Sequence, residues 1–123
     1  MSGRESLPGA LGGLRVVELS SELGAFAGKL LADMGADVIC VEPPGGSPMR
    51  GYEPFRGDVA DPEGSLFWWH YNTSKRGVTL DLETRPGCDA FRRLIATADL
   101  LLAMYGRHGE APVRRDRRPG SAR

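Results

Sequence analysis

The feature that most constrains this chain is the run over residues 14–42, where two short apolar segments flank one helical pattern. Arg15–Leu19 (RVVEL) is β-branched and bounded by glycines before and serines after, as a buried strand should be. Over residues 24–34 the apolar side chains Phe26, Ala27, Leu30, Leu31 and Met34 recur at spacings of three and four, which predicts a helix with these residues on its inner face. Ser20, Ser21 and Gly24 are its candidate caps. Gly35 stands where a left-handed residue ends a helix, and Asp37–Glu42 (DVICVE) then reads as a second strand, stopped by Pro43 and Pro44. A strand, helix and strand joined this tightly form a right-handed crossover, so the two strands are parallel.

The pattern repeats downstream. Residues 77–82 (GVTLDL) alternate as a third strand; Thr84 caps a helix over residues 86–97, with Pro86 in its first turn and Phe91, Leu94 and Ile95 facing inward. Residues 99–104 (DLLLAM) form a fourth strand, apolar enough to be covered on both sides. Between the units, residues 43–66 are rich in proline and glycine without any period, and read as a long structureless excursion. Six residues, 66–71 (LFWWHY), are too few for periodicity to separate helix from strand. The fold class is α/β, with a Rossmann-like parallel sheet over residues 14–104 after a flexible lead-in over residues 1–13.

Formal charge is zero over 123 residues, but residues 1–104 hold ten basic and fourteen acidic side chains and residues 105–123 hold six and two. That last stretch has almost no large apolar residue and reads as a basic, disordered tail. Neither a membrane span nor a secretory signal is present, so a cytoplasmic protein is expected, with no nucleic-acid or membrane partner. Cys40 and Cys88 lack metal-ligand spacing and are expected to remain thiols, with no metal site.

In an open parallel sheet, ligands bind beyond the carboxyl ends of strands, where helix starts attract anions. Residues 20–28 and 72–77 are the segments to inspect on that rule. The first supplies a glycine turn but not the G-x-G-x-x-G spacing of a dinucleotide site. Glu42 ends the second strand where such proteins keep a ribose-binding carboxylate, so an NAD- or FAD-binding domain is the alternative; otherwise Glu42 is a solvated strand end. In the second segment Lys75 and Arg76 suit a phosphate approaching from solvent, or form an ordinary basic turn. His70, between Trp69 and Tyr71, reads as a packed or capping residue rather than a base. Asp33, Asp37, Asp81, Asp89 and Asp99 each have a local role, so no pair of carboxylates stands out as an acid/base couple. Cys88 has no histidine nearby in sequence to activate it.

Three segments together resemble the class III coenzyme A transferases: LGGLRVVELSSELGAFAGKLLADMGADVICVEPPGGSPMR, HYNTSKRGVTLDLET and ATADLLL. The resemblance implies the N-terminal fragment of a larger fold, in which a Rossmann-like domain and a smaller domain build an interlocked dimer. It implies coenzyme A or acyl-CoA as substrate, with no permanently bound cofactor. An aspartate attacks the thioester carbonyl and displaces the CoA thiolate, leaving a mixed anhydride; the thiolate then attacks the aspartyl carbonyl, which releases the donor acid and gives an aspartyl-CoA thioester that is resolved with the acceptor acid; related racemases instead remove the proton beside the thioester carbonyl. Carried over by position, Ser21, Leu23, Gly24 and Ala25 would lie near the thioester. Asn72, Thr73, Ser74, Lys75 and Arg76 would meet the CoA phosphates or adenosine, and Tyr105 would sit in a further CoA-contacting turn. That turn is E-N-F-x-P-G in the family, whereas here Ala103 is followed by Met104, Tyr105 and Gly106. No aspartate matches the family nucleophile, which lies further downstream. With the charge break at Tyr105, this implies a truncated or frame-shifted product, inactive alone. A third possibility is a non-catalytic partner that docks through its LFWWHY cluster.

Overall fold

The structure is a computed structural model and describes residues 9–104. Four parallel strands form one sheet in the order β3-β2-β1-β4: β1 is Arg15–Leu19, β2 Asp37–Glu42, β3 Arg76–Thr79 and β4 Leu100–Leu102. Val17 pairs with Ile39 on one side and with Leu101 on the other, so β1 is central. Helices α1 (Glu22–Asp33), α2 (Leu66–Asn72) and α3 (Arg85–Ile95) complete the fold. Strand alternation separates two apolar layers. Val16 and Val38 pack with Ala32 and Ala36 under α1, whereas Val17, Leu19 and Val41 pack with Phe91 of α3 on the opposite face.

The expected inner face of α3 is the observed one: Phe91 is buried, and Leu94 and Ile95 join its cluster. For α1 the expectation fails in an instructive way. Phe26, Ala27, Leu30 and Met34 are exposed, and the buried residues are Gly24, Ala25, Gly28 and Ala32; of the expected set only Leu31 packs inward. Small residues face the sheet because the sheet and Lys75 fill the layer beneath the helix with their own side chains, including Glu18 and Cys40. Ser21 caps the helix by accepting from Gly24 N–H at 3.0 Å.

Two strands are shorter than expected, for local reasons. β3 stops at Thr79, although Leu80 N–H still donates to Glu42, because Asp81 starts a turn that Thr84 closes before capping α3. β4 lies at the sheet edge with Leu100 and Leu101 exposed, not covered on both sides. Of the lead-in, residues 9–13 form a turn whose Leu11 N–H donates to Met34 O. Residues 105–123, including the expected basic tail, lie outside the described residues.

The excursion after β2 is structured rather than structureless. Two 3-10 turns, Pro48–Gly51 and Arg56–Asp58, and a bridge between Phe55 and Ser65 fold it back on itself. Residues 66–71 then belong to α2, which Ser65 caps through Trp68 N–H. Arg50 anchors this segment: Nε and NH2 donate to the two Glu42 oxygens at 2.7 and 2.8 Å, and the guanidinium lies 4.2 Å from the Trp68 ring centroid.

Burial alone would raise the Glu42 carboxyl, but the Arg50 hydrogen bonds and Ser47 N–H outweigh it and hold it below its ordinary value of 4.5. A carboxyl lowered on folding stabilises the fold above its unfolded pKa, and the stabilisation fades as pH falls through the folded value. Arg50→Met leaves Glu42 buried and unpaired, so it should cost about 3 kcal/mol at neutral pH. Urea unfolding should find that difference shrinking as the pH falls through and below the ordinary carboxyl range and Glu42 is protonated; a difference independent of pH would contradict the assignment.

Candidate functional site

The chain leaves β1 toward β2 over one face and reaches β4 over the other, so the carboxyl ends of β1 and β4 flank a topological switch point. Ser20, Ser21, Glu22 and Leu23 follow the carboxyl end of β1, and Ala103 and Met104 follow that of β4. A β-carbon on Gly24 would come within 3.1 Å of Met104 Cγ and 3.2 Å of Ser21 Oγ, so glycine lets the first turn of α1 approach the β4 exit. Leu23 and Met104 are both exposed. Ser21, Leu23, Gly24 and Ala25 are thus brought together at the switch point; Tyr105 lies outside the described residues.

The second predicted segment sits elsewhere. Residues 72–75 lead into the amino end of β3, not away from a carboxyl end, and they flank α1 on the β3 side. Thr73 and Ser74 are exposed, and Ser74 has a φ of 68°, a left-handed turn that an ordinary side chain seldom adopts. Lys75 differs from the expected solvent-facing cation: its side chain is only 2% exposed and its Nζ lies 2.8 Å from Oε1 of Glu18, which is fully buried. The ammonium donates to Glu18 Oε2 at 3.1 Å, to Ala25 O at 3.1 Å and to Asn72 Oδ1 at 2.9 Å. Its three N–H groups are then committed, which leaves Glu18 Oε1 in ionic contact but without a hydrogen bond. Arg76 is exposed, yet Nε and NH2 both donate to Asp37, at 2.9 and 2.8 Å. The Arg76 hydrogen bonds, assisted by Arg15 against a small burial effect, hold the Asp37 carboxyl below its ordinary value.

Glu18 and Gly28 are the residues that sequence reasoning missed. The signal was present, because a glutamate inside a strand buried on both faces requires a cation beneath the same cover. Burial pushes the Glu18 carboxyl up, and Lys75 offsets this only in part. A β-carbon on Gly28 would overlap Glu18 Oε1, so glycine at this helical position makes room for the ion pair.

Other candidates are spoken for. Both oxygens of Glu42 face Arg50, so no free carboxylate stands there for a ribose. His70 is exposed in the last turn of α2 rather than packed inside. Cys40 and Cys88 are both free thiols. Burial, with a contribution from the Glu18 carboxylate, pushes the Cys40 thiol up to about 12, which makes it a poor nucleophile. A hollow of about 560 Å³ opens beside Gly46, Ser47, Arg50 and Phe55, but none of the expected site residues lines it. Among the described residues no three of His, Cys, Asp and Glu are grouped to hold a metal, and no helix is long and apolar enough to cross a membrane.

Residues 11–108 match the CoA-transferase family III. The chain belongs to that family. It is 46% identical over 105 residues to succinate–glutarate CoA-transferase of Agrobacterium fabrum, covering 82% of this chain and 26% of that protein. Over 88 residues it is 43% identical to the succinyl-CoA:(R)-benzylsuccinate CoA-transferase subunit BbsE of Thauera aromatica, covering 72% of this chain and 22% of that one. Among solved structures, a CAIB/BAIF family protein from Brucella suis superimposes with a TM-score of 0.68 at 35% identity, over 77% of this chain and 25% of its own. The chain therefore spans about a quarter of the length of these relatives, as the sequence resemblance implied. The Rossmann-like expectation agrees with the family, whereas a dinucleotide-binding domain lacks both its glycine fingerprint and a free carboxylate at Glu42.

Two measurements test this geometry. Alanine at position 28 gains roughly 1 kcal/mol of helix propensity over glycine, but overlap with Glu18 should prevail. Gly28→Ala is therefore expected to lower stability by about 1–3 kcal/mol in urea unfolding; a stabilised variant would mean that Glu18 does not lie against α1. In peptide mapping after iodoacetamide treatment, Cys40 should stay unmodified while the fold persists and react once it is unfolded; modification of the native chain at both thiols would contradict the burial.

Proposed function

We propose that this chain is the CoA-binding part of an enzyme that transfers coenzyme A between carboxylic acids, and that it supplies a binding surface without the nucleophile. The observation that carries this reading is the close approach of the first turn of α1 to Met104 at the switch point, in a chain of this family whose described aspartates all lie outside the buried set. Asp33 pairs with Lys29, Asp37 with Arg15 and Arg76, and Asp89 with Arg92, while Asp99 accepts from Arg15 N–H. The two buried carboxylates, Glu18 and Glu42, are neutralised by Lys75 and Arg50. None of these groups is free to attack a thioester carbonyl. The exposed apolar side chains of Leu23 and Met104 suit the pantetheine arm, and the exposed Thr73 and Ser74 suit the more polar end of the ligand. In this reading the complete enzyme is a homodimer, and the acyl donor and acceptor are chosen by residues beyond this chain.

Calorimetry of the 123-residue chain should give saturable heat with CoA and none with NAD. Incubation with an acyl-CoA and a free acid should give no thioester exchange. NAD binding without CoA binding would overturn the first half of the proposal. Turnover by the purified chain, or an acyl group found on one of its side chains, would overturn the second.

A further inference from the structure

One buried charge joins the two segments that the proposed function assigns to CoA. Ala25 lies in the first turn of α1 beside the switch point, and Asn72 ends α2 just before the exposed Thr73–Ser74 turn. These segments belong to different elements, and a single ammonium holds both: Lys75 Nζ donates to Ala25 O and to Asn72 Oδ1 while it neutralises Glu18. The left-handed Ser74 comes immediately before Lys75, and the turn it makes brings this side chain beneath α1. Gly28 leaves the space that the pair fills.

Such a cation contributes little to the attraction of a phosphate. Its charge is cancelled by a carboxylate 2.8 Å away, and withdrawing it toward solvent would strand Glu18 ionised in an apolar layer. We propose that Lys75 is a positioning residue and not a phosphate ligand: together with Glu18 it clamps the first turn of α1 to the Asn72–Ser74 turn, and so fixes the helix start that would meet coenzyme A at the switch point. The inference rests on the CoA-binding reading above, but the clamp itself can be measured without ligand.

The informative variant is Glu18→Gln/Lys75→Met, which removes both charges together and leaves no unpaired buried ion. Hydrogen exchange followed by mass spectrometry should show residues 24–29 and 72–76 losing protection together, while β1 and β2 stay protected. Loss in only one segment, or in neither, would overturn the clamp. Calorimetry should then give an affinity for CoA about tenfold weaker than that of the unchanged chain. Pantetheine, which has no phosphate, should weaken by a similar factor, and the salt dependence of CoA binding should not change. A phosphate ligand would behave differently: CoA alone would weaken and its salt dependence would flatten, and that result would overturn the proposal. Should the double variant fail to fold, Asn72→Ala keeps the ion pair, removes one of the three acceptors and is judged by the same pattern. If the unchanged chain does not bind CoA at all, the functional reading fails, and exchange still decides whether the clamp exists.

Discussion

A glutamate in the central strand of a sheet covered on both faces determines much of what surrounds it. Glu18 cannot reach water, and an ionised carboxylate in such a layer must find a cation at the same depth. Lys75 supplies it from 57 residues away in the chain. That one requirement accounts for several otherwise unrelated features: glycine at position 28, small residues along the inner face of α1, a strained turn at Ser74, and an ammonium with no donor left for solvent. A buried pair of this kind is a weak source of net stability. It is a strong source of register, because only one arrangement of β1, α1 and the lead into β3 satisfies all its partners.

A second charged pair does for the excursion what the first does for the sheet. Glu42 ends β2 and draws Arg50 back onto it, and Arg50 in turn lies over Trp68. Through Tyr52, Phe67, Tyr71 and Phe26 a chain of aromatic contacts then runs from the excursion across α2 to α1. A stretch that lacks any hydrophobic period is thus held by two polar anchors and four rings. Period-based reading sees only repetition, and nothing in this segment repeats.

The switch point and the clamp stand on different sides of α1. Gly24 faces the β4 exit, whereas Ala25 O and Gly28 face Lys75. The helix is therefore common to both regions, and its first turn links the switch point to the buried pair. Outward from the sheet, α1 presents Leu23, Phe26, Leu30 and Met34, the long side chains that an amphipathic reading assigns to the core. They face out because the layer beneath the helix is already occupied.

By itself the sequence determined the four strands, the crossover helices α1 and α3 and the parallel sense of the sheet, since β-branched runs, helix caps and glycine stops are local properties of a few adjacent residues. Ser21 and Thr84 cap the helices they precede, and Phe91, Leu94 and Ile95 face the sheet as their spacing requires. It also carried the family, through segments that keep their residues and their distances. Only the tertiary structure decided which face of α1 is inner, and that Lys75 is buried whereas its neighbour Arg76 is exposed on Asp37. Periodicity gives a helix its stripe but not the volume available beneath it, and charge on a side chain does not say whether its partner is solvent or a carboxylate from a distant strand. Both depend on what the fold brings together across the sheet.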